Sequence, residues 1–202
     1  MLAVALAGCA QWTHAPGHGA KSTKEALRLT AVNGQMCTNG TCDLEGPLGT
    51  LQFSNVRALG FNNRRVETAF DVAYAKVTAS CQGPTKDAAF TCSLTAPNEP
   101  PRTLTVPLGC LSAFIETDGP AKVRWTLRTD VVVLAGRQFP GREISLMDEN
   151  GALAWSDSPN AYQINVFPLR SQPLSATQTV ALAILRSFVD IDGHPPECIT
   201  PS

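Results

Sequence analysis

Through most of this chain apolar and polar residues alternate with a period of two, the signature of strands that bury one face. Leu27 and Leu29 alternate with Arg28 and Thr30 over residues 26–32, and Leu51 and Phe53 mark a further short strand. Residues 65–79 fit two patterns: Val66, Phe70, Val72 and Tyr74 suit alternation, while Val66, Phe70, Ala73 and Val77 suit a helix. Continuation into a β-like stretch at 77–81, a Gly-Pro turn and a second stretch at 89–92 favours strand. Residues 103–106, 123–127 and 131–134 read as strands as well. Residues 143–156 read as a hairpin turning at Asn150-Gly151, which would set Leu146 opposite Trp155. Tyr162, Ile164 and Val166 then alternate with Gln163 and Asn165.

One segment has a different pattern, residues 177–192, where Val180, Ala181, Leu182, Ala183, Ile184, Leu185, Phe188, Val189 and Ile191 fall on every face of a helix. Such a helix must be enclosed. About 24 Å of helix is too short for a hydrocarbon core of about 30 Å, so it reads as a core helix and not a membrane span. The pattern as a whole predicts a mainly β fold, a single antiparallel barrel or sandwich with one buried C-terminal helix.

Composition agrees. The chain has 202 residues, 15 glycines and 15 prolines, and only 16% charged residues, which favours a turn-rich β protein in one domain. A net charge of -1 without a Lys/Arg cluster leaves no electrostatic footprint for nucleic acid. Seven cysteines are an odd count, and one of them stands apart at the front.

That front reads MLAVALAGCA, and Leu6-Ala7-Gly8-Cys9 closely resembles the lipobox of bacterial lipoproteins. The resemblance implies cleavage before Cys9, acylation of its thiol and new amino group, and stable anchoring, since several acyl chains bind where one is marginal. Ala10 follows the cysteine in place of the Asp that holds enterobacterial lipoproteins in the inner membrane, which implies the outer membrane, facing periplasm or surface. No Lys or Arg precedes the apolar run, so residues 1–8 are read as the remnant of a longer signal peptide. Residues 9–25 then serve as the lipidated cysteine and a flexible tether broken by Pro16, Gly17 and Gly19, and residues 26–202 as one disulfide-stapled domain. His14 and His18 lie in the tether at a spacing that could chelate a metal on a helix; Pro16 and Gly17 between them argue for a linker.

With Cys9 set aside, six cysteines allow 15 pairings. Asn39-Gly40 favours a type I′ hairpin that would face Cys37 with Cys42. The β-like flanks of Gly83-Pro84 would join Cys81 with Cys92, and elimination leaves Cys110 with Cys198. Disulfides require an oxidising compartment, in keeping with export.

The order strand, hairpin, strand, apolar terminal helix over residues 143–192, with the texture NAYQINVFP, resembles the C-terminal part of the tubby, LURP-one and scramblase superfamily. That resemblance implies a membrane-proximal barrel around a central helix, with lipid as a possible partner. Chemistry-bearing motifs are scarce. Asp190, Asp192, His194 and Glu197 make the densest run of possible ligands, but their spacing matches no standard metal set and Asp-Gly with Pro195-Pro196 reads as a helix end. There is no G-x-S-x-G elbow, P-loop or dinucleotide fingerprint. No cofactor is expected. The leading reading is a lipid-anchored, non-enzymatic interaction or structural module of the envelope, partnered by the membrane and by an envelope protein or lipid. A lipid- or small-ligand-binding barrel and a metal-dependent or hydrolytic enzyme are the alternatives.

Overall fold

The structure is a computed structural model that describes residues 11–20, 26–32, 42–62, 65–83, 89–106, 112–117, 124–134, 137–160 and 163–191. In chain order its strands are β1 (Gln11–Thr13), β2 (Leu27–Ala31), β3 (Cys42–Gly46), β4 (Gly49–Asn62), β5 (Arg65–Tyr74), β6 (Val77–Gly83) and β7 (Phe90–Thr95). They continue as β8 (Arg102–Val106), β9 (Ser112–Thr117), β10 (Arg124–Leu134), β11 (Arg137–Asp148), β12 (Gly151–Asn160) and β13 (Gln163–Pro168), followed by the helix α1 (Ala176–Ile191).

Every strand pairs antiparallel with its sequence neighbour from β2 to β13, and the ring closes where Leu27–Thr30 of β2 meet Gln163–Val166 of β13. The result is a closed barrel of twelve strands, which decides between barrel and sandwich. Closure leaves no unpaired edge in the ring itself. β1 stands outside it and pairs with the far half of β10, Gln11 to Val133 and Thr13 to Val131, beyond the half that holds β9.

The helix occupies the interior of the twelve-strand ring. Eight strands enclose roughly what their own side chains fill, and a wider ring leaves room for a body about 10–12 Å across. α1 is that body: it packs on β11 and on β5 and β6, which lie across the ring from it. Its residues 180–185 are all 0% exposed, which is why no face of it is polar there. Inward residues of the strands complete the core, among them Leu29, Leu51, Phe53, Phe70, Phe90, Leu104, Ile115, Leu127, Ile144, Leu146 and Val166. Phe53, Phe70 and Phe90 form a chain of tilted rings with centroids 5.7 Å apart at each step. The helix starts in a capping box: Ser175 Oγ accepts the Gln178 N–H at 3.2 Å and Gln178 Oε1 accepts the Ser175 N–H at 2.9 Å.

Cys81 and Cys92 are direct cross-strand partners on β6 and β7, both point inward, and they form the expected disulfide. The Cys37–Cys42 and Cys110–Cys198 pairings lie outside what is described, as do Asp192, His194 and the side chain of Asp190.

Three expectations need correction. Residues 65–79 are not one strand: Ala75 and Lys76, at φ 48° and 69°, turn β5 back into β6. That hairpin turn normally calls for Gly or Asn, so its sequence gives no warning. The hairpin after Glu143 turns at Glu149 and Asn150, with Gly151 at φ 105° opening β12, and a bulge follows between Leu146 and Met147. Leu146 therefore pairs with Ala154, and Trp155 with Ser145. The one-residue difference decides which face each side chain takes: Leu146 enters the core and Trp155 lies on the outer wall. The third correction concerns the tether. Over residues 11–20 it is part of the fold, paired with β10 and laid across the outside of the barrel, with Ala15 only 2% exposed.

Candidate functional site

The segment that crosses the outer wall owes its path to two turns. Pro16 sets φ for the first and Gly17, at φ 86°, supplies the left-handed residue a type II turn needs; the His18 N–H donates to Ala15 O at 3.0 Å. Gly19, at φ 67°, repeats the device, with the Ala20 N–H donating to Gly17 O at 3.0 Å. The wall receives the segment through polar contacts. Ser145 Oγ donates to Pro16 O, and Trp155 Nε1 donates to Ala20 O at 3.3 Å. Trp155 stacks on Phe167 with centroids 4.4 Å apart. A Cβ on Gly17 would come within 2.7 Å of Leu169 Cδ1, so the close approach also depends on glycine.

The first turn folds His14 and His18 onto each other, with ring centroids 3.8 Å apart and planes 11° from parallel. Both present Nδ1 to one carboxylate: His18 Nδ1 lies 2.6 Å from Glu143 Oε1, and His14 Nδ1 lies 3.5 Å from Glu143 Oε2. Glu143 reaches them because the β10–β11 ladder is irregular at that point. Thr129 pairs with Ile144, but Val131 pairs with Pro140, so two extra residues of β11 swell outward. Pro140 has no N–H to give the ladder. The freed Glu143 N–H donates instead to Asp130 Oδ1 at 2.9 Å.

Asp130 is 2% exposed beneath the segment. Burial pushes its carboxyl above the usual carboxylate range; the Glu143 N–H draws it back, the Glu143 carboxylate adds to the rise and His14 opposes it. Glu143 is itself largely covered, with its side chain 17% exposed, and Oε2 is buried without a hydrogen-bond donor among the described residues. The imidazoles are half open to solvent, 50% for His14 and 42% for His18.

Chemically the cluster is two imidazole nitrogens and a carboxylate oxygen, one donor atom from each residue, all within 4.8 Å of one another. The other candidate run, Asp190, Asp192 and His194, lies outside the described side chains. Sequence reasoning set His14 and His18 aside because it tested their spacing on a helix, whereas a Pro-Gly turn achieves the same meeting. Glu143 carried no local signal.

A separate ion pair steadies the neighbouring hairpin. Arg170 grips Asp148 through two hydrogen bonds, Nη1 to Oδ2 at 2.7 Å and Nη2 to Oδ1 at 2.8 Å, and also reaches Gly151 O at 3.2 Å. The guanidinium holds the Asp148 carboxyl below its ordinary range. Where the helix begins, Thr177 Oγ1 donates to Glu99 Oε2 at 3.4 Å, and Arg102 lies over the Trp125 ring at 4.1 Å.

No helix among the described residues is long and apolar enough to cross a membrane, which leaves strand-built spans open. Comparison with protein-family models, with curated proteins and with solved structures found no match.

Proposed function

We propose that this chain is a lipid-anchored envelope protein of a bacterium, attached through Cys9 to the outer membrane, whose barrel serves as a non-enzymatic interaction or structural module. The observation that carries this reading is the use of the lumen. In a ligand-carrying barrel the inward positions line a cavity; here they pack on residues 180–185 of the protein's own helix. That leaves the outer wall and the strand ends as the working surfaces. The anchor rests on Leu6-Ala7-Gly8-Cys9 at the end of an apolar run. The disulfide between β6 and β7 supports an oxidising compartment. A helix enclosed by a barrel is also what likeness to the tubby, LURP-one and scramblase superfamily implies, and we keep that kinship as part of the proposal.

Growing cells with a clickable fatty acid tests the anchor. The label and the outer-membrane fraction should both hold the wild-type protein and both lose the Cys9→Ser protein. A Cys9→Ser protein that keeps the label and stays in the membrane fraction removes the reading.

A further inference from the structure

We propose that His14, His18 and Glu143 form a binding site for one divalent transition-metal ion of the zinc class, and that the ion fastens the N-terminal segment to the barrel wall. The donor set is the first argument. Two imidazole nitrogens and one carboxylate suit zinc and its neighbours, whereas magnesium and calcium take oxygen-rich sets. The second is spacing. Ligands about 2.0–2.2 Å from a tetrahedral zinc stand roughly 3.4 Å from one another. One donor atom from each of His14, His18 and Glu143 already lies within 4.8 Å of the others, so the set closes on an ion by a contraction of about 1 Å and a turn of the two imidazoles, stacked 11° from parallel, that tilts their in-plane lone pairs toward a common point.

The third argument is the carboxylate. Glu143 Oε2 is buried with no hydrogen-bond donor among the described residues, and an unsatisfied buried acceptor costs free energy that a cation would recover. Its backbone is meanwhile fixed from behind by Asp130, so the side chain is held toward the histidines before any ion arrives. Half-open imidazoles give the ion a way in, and three protein ligands leave a position for water. The ligand set spans two parts of the chain, the turn at 14–18 and the bulge of β11, so binding ties one to the other. This inference is independent of the anchor.

The test uses the purified full chain, its free thiols alkylated, titrated with zinc chloride against a chromophoric chelator. One equivalent should bind. His18→Ala and Glu143→Gln should each weaken binding at least about tenfold, and His194→Ala should leave it unchanged. Zinc should also raise the melting temperature of the wild type and of His194→Ala but not of His18→Ala. Cobalt(II) gives a readout independent of stability: its visible absorption should appear with the wild type and vanish with His18→Ala. No uptake by the wild type, uptake that survives in both His18→Ala and Glu143→Gln, or uptake lost only in His194→Ala overturns the proposal.

Discussion

Leu185→Ala probes the central claim of the fold, that α1 is the core of a closed ring. Leu185 is 0% exposed. The change removes three carbons, worth about 2.4 kcal/mol at about 0.8 kcal/mol for each buried CH₂. A void of roughly 60–80 Å³ at about 24 cal/mol per Å³ adds about 1.5–2 kcal/mol. The ring has little means of closing that void, because its ladder is continuous around the helix and one strand cannot move in without breaking pairs on both sides. We therefore expect a loss of about 4 kcal/mol, toward the upper end of large-to-small core changes. In a chain of this size that lowers the melting temperature by about 8–16 °C. Leu48→Ala is the control, since Leu48 is 57% exposed and its truncation should cost no more than about 0.5 kcal/mol. Urea unfolding under non-reducing conditions, followed by tryptophan fluorescence, measures both. A Leu185→Ala loss below about 1 kcal/mol, or equal to that of Leu48→Ala, would refute an enclosed helix.

Ser175→Ala should cost about 1 kcal/mol, because it removes the oxygen that caps the Gln178 N–H; equal melting curves would mean that the cap contributes nothing. Replacing Cys81 and Cys92 together by Ala should cost about 2.5–3 kcal/mol in the chain-entropy model for a separation of 11, and non-reducing mass mapping should show the two joined in the wild type. The Asp148–Arg170 pair sets a pH dependence. Asp148 is depressed in the folded chain, so its contribution is complete above the unfolded value of about 3.9 and is lost as pH falls through the lower folded value. Asp148→Asn should lower stability at pH 7 and lose that difference in acid; a difference that persists at pH 2 counts against the pair. Gly17→Ala, strained at φ 86° and 2.7 Å from Leu169, should weaken zinc binding while leaving the barrel's far-UV spectrum unchanged.

How far the sequence discloses this fold depends on whether the signal is local. The helix is legible because enclosure demands apolar residues all round, and six consecutive residues obey. The β6–β7 disulfide is legible for a similar reason: its two cysteines sit on alternating flanks close in sequence. Ala75-Lys76 hides a turn because tertiary pairing imposes left-handed φ on residues that do not prefer it. Asn150-Gly151 marks the correct hairpin, yet its register depends on a turn starting one residue early and on a bulge that no residue type announces. The cap was readable, since Ser175 and Gln178 stand at capping-box spacing before an apolar run. The histidine cluster was half readable. Pro16-Gly17 is a turn signal that brings His14 back to His18, but Glu143 joins them only through the ring's closure and the swelling of β11, which are properties of the whole sheet.

The pairing of β1 with β10 sets how far the barrel can stand from a bilayer. If Cys9 carries the lipid, only Ala10 separates it from Gln11, a reach of about 7 Å at full extension. The protein then rides against the headgroups, with the Val133 end of β10 turned toward the lipid and little freedom to rotate away. Were the segment to peel off as far as Ala26, the 17 residues after Cys9 would span up to about 60 Å. The clamp at His14, His18 and Glu143 thus lies on the stretch that separates a protein pressed to its membrane from one that can search the space above it.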